Sequence, residues 1–120
     1  MEMDNAKGAV ESLRKLSLAL FLTYEPQDWG IVNADGARIE EFIDYWKTHP
    51  DLPKTLKFDL GGLILASANE RLRSEPAADL SGVLAFVSRY GDEFGAHIDY
   101  WRVLVDIEEF PLGAVLRQAT

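Results

Sequence analysis

At 120 residues, 48% of them apolar and 11% aromatic, the chain can fill one hydrophobic core and is too apolar for a disordered segment. It holds no cysteine, which excludes a disulfide framework and any thiolate metal site. With 20 acidic residues against 12 basic ones, its net charge of −8 argues against a nucleic-acid partner and suits solubility or fast encounter with a basic protein.

The first residues, MEMDNAKGAVESLRK, lack both a basic start and a small-residue cleavage site, so no signal peptide is expected. The longest apolar run, Leu18 to Leu22, is too short to span a membrane. A cytoplasmic protein follows as the expectation, with no membrane partner.

Val10, Leu13, Leu16 and Leu20, widened by Phe21, form a helical stripe; the spacing predicts a first helix from Asp4 to Tyr24, stopped by Pro26. EPQDWGIVNADG is rich in turn residues and reads as a loop. Asp35 is placed to cap a second helix ending at His49, with Ile39, Phe42, Ile43 and Trp46 on its buried face. Pro53 suits the first position of a third helix, whose apolar stripe runs from Leu56 through Leu60, Leu63, Ile64 and Ala68 to Leu72. Gly61 and Gly62 interrupt that stripe at a cost of about 2 kcal/mol against alanine. Either the helix starts at Asp59 as its cap, or another helix crosses closely at the glycines, which is the preferred reading.

Asp79 or Ser81 caps the next helix, which carries Leu80, Val83, Leu84, Val87 and Tyr90 and ends at Gly91 as a left-handed C-cap. Phe94, Ile98, Trp101 and Val105 mark a further amphipathic helix, and Pro111 opens a last one with Leu112, Val115 and Leu116. The sum is an all-α fold, a single compact bundle of five to six helices over residues 1–120.

The tetrapeptide Ile-Asp-Tyr-Trp occurs at 43–46 and again at 98–101. Similarity around the two copies fades within a short stretch, so a duplication is weakly supported. Helical spacing gives a simpler account: Ile43 with Trp46, and Ile98 with Trp101, pair on a buried face. Tyr45 and Tyr100 then sit at its edge, while Asp44 and Asp99 face solvent. A partner-facing role for the Tyr and Asp positions is the alternative.

Chemical motifs are missing. His49 ends a helix, where the dipole favours it, and His97 and Asp99 do not share a helical face as metal ligands would. The sequence contains neither a nucleophile elbow nor a phosphate-binding glycine loop. No catalytic residue, cofactor or metal is expected, and the chain reads as a non-enzyme.

Charge is unevenly spread. Residues 25–51 hold seven acids against two bases and residues 91–109 six against one, whereas 52–73 are richer in bases. If the two Ile-Asp-Tyr-Trp helices lay side by side, their acids would form one negative face. The candidate partner-binding residues are therefore Glu40, Glu41, Asp44, Tyr45, Asp92, Glu93, Asp99 and Tyr100, with Trp29 added. Trp29 is either an exposed loop anchor or a cover for the end of the bundle.

LALFLTYEPQDWG followed by EEFIDYW, with Tyr24, Gln27, Asp28 and Trp29 between a leucine-rich helix and an acidic-led one, resembles the immunity proteins of bacterial contact-dependent growth inhibition. The resemblance covers mainly residues 13–46. It implies a small helical cytosolic protein that binds and blocks the toxin domain, often a nuclease, delivered by a neighbouring cell. A nuclease cleft built for phosphates is basic, and an acidic face with aromatic anchors suits it. The alternative is a secretion chaperone or adaptor that docks a partner helix in a groove.

Overall fold

In the computed structural model, which describes residues 12–119, six helices of at least eight residues and a single-turn helix follow one another, with no strand among the described residues. They are α1 (12–19), α2 (Trp29–Val32), α3 (Ile39–Thr48), α4 (Lys54–Ser74), α5 (Ser81–Tyr90), α6 (Gly95–Arg102) and α7 (Pro111–Gln118), and 3₁₀ turns at Gly36–Arg38 and Gly91–Phe94 lead into α3 and α6. The expected all-α bundle is observed. The part of the expected first helix before residue 12 lies outside the described residues.

The long helix α4 is the axis, touched by every helix from α2 to α7 and by both 3₁₀ turns. Residues 60–69 are buried all round, so this helix has no solvent face along its middle. Such burial demands small residues where neighbours cross. A Cβ on Gly61 would strike the ring of Phe94, including its Cδ1 at 2.5 Å, and one on Gly62 would lie 2.7 Å from Nε2 of His97. Gly30 of α2 also comes close on another side, its absent Cβ 3.1 Å from the Leu63 nitrogen. The two mid-helix glycines are therefore crossing points, and the idea that the helix starts at Asp59 is excluded because it begins at Lys54. Pro53 sits one residue earlier than expected, as the N-cap rather than the first helical residue.

The remaining helix ends depart from expectation for local reasons. The first helix stops at residue 19, short of Pro26, in a Schellman turn: the Leu22 amide donates to the Ser17 carbonyl (2.7 Å) and the Phe21 amide to the Leu18 carbonyl (3.2 Å). Phe21 occupies the left-handed position with φ 55°, where a side chain costs about 1–2 kcal/mol. The segment read as a loop contains α2 and the 3₁₀ turn at Gly36–Arg38. Asp35 does cap, its Oδ1 accepting from the Ala37 amide at 3.0 Å, but it caps that turn rather than α3 itself. Neither Asp79 nor Ser81 is the cap of α5: Leu80 stands at the N-cap without a side-chain bond, Ser81 is the first helical residue, and Asp79 accepts from its amide (2.9 Å). Gly91 is not a left-handed cap: its φ is −58°, the chain continues into the 3₁₀ turn, and its absent Cβ would lie 3.0 Å from Ile98 Cδ1. The sixth helix ends at Arg102, which leaves Val105 in the following segment, exposed rather than on a buried helical face.

Two buried polar side chains tie the outer layers down. Asn69 of α4 donates to the Glu109 carbonyl (3.1 Å) and accepts from the Leu112 amide (3.1 Å), holding the start of α7. Ser67 accepts from the Asp35 amide at 3.0 Å. The buried Leu112 amide, which has no water to bond, thus finds its partner in Asn69.

Candidate functional site

The two Ile-Asp-Tyr-Trp copies do the same kind of work in different places. Trp46 joins an aromatic cluster with Phe86, Tyr90 and Phe94, its ring centroids 5.0–5.7 Å from theirs. Trp101 instead packs edge-on to Phe110 at 6.1 Å. Both tryptophans are buried, as is Ile98, while Ile43 is only half-buried against the core. Helices α3 and α6 do not touch; both rest on α4. The expected single negative face built from side-by-side copies is thus absent, because the central helix separates them.

The acids of α3 are largely neutralised. Glu40 accepts from both terminal nitrogens of Arg71 (3.0 and 3.1 Å), and Glu41 takes Arg38 in the same two-pronged way (2.9 and 2.6 Å). These hydrogen bonds, more than charge alone, hold both carboxyls below the ordinary glutamate range. Asp44 is exposed and has no side-chain partner among the described residues. Tyr45 is half-buried and stacks on His49 at 3.8 Å, so that ring is already engaged. Trp29 is not an exposed anchor: it is 4% exposed, and its indole N–H donates to Ser17 Oγ at 2.8 Å. Nor does it cap an end of the bundle: it is a core side chain that pins α2 onto α1 beside the middle of α4.

The second acidic group behaves differently. Asp92 and Glu93, on the 3₁₀ turn before α6, are exposed and unpaired among the described residues. They face an open cleft of about 590 Å³ whose other wall is the first turns of α4, with Lys54, Thr55, Phe58 and Asp59. Asp59 also has no partner among the described residues; burial alone pushes its carboxyl up from the ordinary aspartate range. This side chain lines a second groove of about 310 Å³ as well, of mixed polarity, with Asp28 also in its wall. Gly62 and Ala66 of α4 form part of the groove's floor with Trp29, and Ile31 and Tyr100 stand on it exposed. Asp99 is solvent-facing beside Tyr100, held loosely by Arg102 at 4.0 Å.

His97 lines the same groove, with its ring tilted on Phe58 at 4.0 Å. Burial lowers its pKa and a hydrogen bond to the backbone of Phe58 pulls weakly the other way, while its Nε2 is buried without a partner. No group of three or more metal-ligating side chains occurs among the described residues, and no described helix is long and apolar enough to cross a membrane.

The structure therefore brings together Asp92, Glu93 and, through Asp59, Tyr100. It leaves Glu40, Glu41, Asp44 and Tyr45 apart on α3. Asp59, Phe58 and Ile31 were missed by sequence reasoning. Asp59 carried a legible signal: it sits between Leu56, Leu60 and Leu63 on an apolar stripe, where an acid becomes partly desolvated. No family model matches the chain, and no curated protein or solved structure matches it.

Proposed function

We propose that this chain is an immunity protein, a non-enzymatic domain that acts in the cytoplasm by binding a cognate toxin domain and occluding its active cleft. One observation carries the reading: three carboxylates without basic partners among the described residues, Asp59, Asp92 and Glu93, face one cleft against a single lysine, Lys54, and Asp59 joins it to a groove bearing exposed Tyr100. Free carboxylates attract a basic protein and orient it, and a half-exposed tyrosine over an apolar floor supplies a desolvated anchor. The partner this surface fits is basic, as the phosphate-binding cleft of a nuclease is. Its resemblance to growth-inhibition immunity proteins over residues 13–46 points the same way.

The test is co-expression with the C-terminal domain encoded by the reading frame directly upstream. Rescue of growth, with a nanomolar complex by calorimetry, supports the proposal. A toxic neighbour that is not rescued, or a harmless one, sinks it. The groove over Gly62 and Ala66 favours a second reading, an adaptor holding part of a partner helix. That reading is supported instead if the bound partner is harmless and helical.

A further inference from the structure

The groove that bears Tyr100 takes its walls chiefly from α2, α4 and α6 and encloses about 310 Å³. Ligand pockets run from roughly 300 to 1,000 Å³, so this one suits a single side chain rather than a cofactor. Two carboxylates line it, Asp28 and Asp59, and no lysine or arginine does. Neither acid has a hydrogen-bond partner among the described residues. Asp28 stands where an aspartate ordinarily caps a helix, yet its left-handed backbone (φ 58°, ψ 34°) goes with no side-chain bond to α2. Asp59 is half-buried, so it has given up hydration without gaining a counter-charge. Aromatic rings complete the lining. Trp29 already gives its N–H to Ser17 and offers only its ring, while half-exposed Tyr100 stands edge-on to Trp101 at 5.9 Å. His97 adds no charge at pH 7: burial lowers its pKa, and its Nε2 is enclosed against Gly62 without a partner.

The bases of the surrounding elements are engaged elsewhere. Lys54 lies in the neighbouring cleft with Asp92 and Glu93, and the Lys57 ammonium sits 5.9 Å from the Trp46 ring. On α6, Arg102 lines a different groove, against α5 and α7, with Asp99 at 4.0 Å. On α1, the Arg14 guanidinium lies over Tyr24 at 4.8 Å, and Lys15 lines a hollow beside Tyr45. We infer that the groove receives an arginine side chain of the basic partner, its guanidinium on the carboxylates of Asp59 and Asp28 and its flat face against Tyr100. Charge and shape select this occupant. A guanidinium is weakly hydrated, gives two-pronged bonds to a carboxylate and stacks on aromatic rings. A lysine ammonium is more strongly hydrated and cannot stack as a plane, and a neutral side chain would leave Asp59 unpaired. The inference rests on the reading of this chain as a binder of a basic protein and adds the side chain that the partner inserts.

The probe is N-acetyl-arginine methylamide, titrated into the full chain and followed by amide resonances, with the lysine and citrulline analogues beside it. The arginine compound is expected to saturate with a Kd on the order of 1 mM, as one isolated side chain does, and to shift the resonances of Asp28, Asp59, Gly62 and Tyr100. The lysine analogue binds more weakly, and the citrulline analogue, equal in shape but uncharged, does not saturate. Asp59→Asn and Asp28→Asn each weaken the arginine compound about fivefold or more, and Tyr100→Ala weakens it as well. Asparagine tolerates the left-handed backbone at position 28, so D28N keeps the fold. Asp44→Asn removes the same charge from exposed α3 and keeps full affinity. No saturable binding of the arginine compound, a lysine or citrulline analogue that binds as tightly, or full affinity in both groove variants overturns the inference. Because the toxin is not used, that failure is separate from a failure of the toxin to bind.

Discussion

Replacing Gly61 by alanine sets two effects of known sign against each other. In a helix interior, alanine is favoured over glycine by about 1 kcal/mol. Here the added methyl would lie 2.5 Å from Phe94 Cδ1 and 2.8 Å from its Cβ, against a preferred carbon–carbon separation of roughly 3.5–4.0 Å. Phe94 is fully buried and has Trp46 at 5.7 Å and Phe86 at 5.5 Å, so its ring cannot swing away without disturbing the aromatic cluster. Forcing a methyl into such a site costs about 1–3 kcal/mol, and separating α4 from the 3₁₀ turn adds lost contacts. The expected net is a destabilisation of about 1–2 kcal/mol, or a fall in thermal midpoint of roughly 4–10 °C for a domain of this size. Urea denaturation and calorimetry measure it. Gly82→Ala in α5 is the control: nothing stands within 4 Å of its absent Cβ, so it should be neutral or stabilising by up to about 1 kcal/mol. A Gly61→Ala protein as stable as the parent would refute the crossing-point account of the double glycine.

Phe21→Gly should raise stability by about 1 kcal/mol in urea melts, since glycine fits φ 55° and the exposed phenylalanine contributes no burial; a loss would mean that the ring is held by something else. Trp29→Phe removes the indole bond to buried Ser17 and should cost about 1–2 kcal/mol, read by the same melts. Asp59→Asn should raise the thermal midpoint at neutral pH. The parent's carboxyl is protonated more readily folded than unfolded, so its contribution to stability falls as pH rises through the carboxylate range, and the amide should erase that fall. His97 behaves oppositely. Its folded pKa lies below the ordinary 6.5, so the stability it permits is complete above that value and is lost as pH falls through it. His97→Gln should flatten that part of a stability profile, and an unchanged slope would assign it to other groups.

Legibility in the sequence followed the range of the interactions. Helical stripes ending in buried Trp46, Trp101 and Leu116 were readable because one neighbouring surface decides them. The double glycine was readable as a cost needing a cause, though not as contacts with Phe94 and His97, which lie more than 30 residues away along the chain. Trp29 could not be assigned from the sequence, because its burial depends on a hydroxyl from another helix. The acids of α3 looked available for binding until Arg71 and Arg38 were seen to take them, pairs that composition does not reveal. Asp59 reads in the sequence as a possible helix cap, yet its place in two clefts makes it the centre of the candidate site.

The most direct measurement is the calorimetric Kd of this chain for the C-terminal domain encoded upstream, beside that of D92K/E93K, at low and at high salt. The account predicts nanomolar binding that weakens with salt and falls at least tenfold on charge reversal, because both acids are exposed and unpaired at the cleft. An unchanged Kd for the reversed protein, or no binding by the parent, would contradict it.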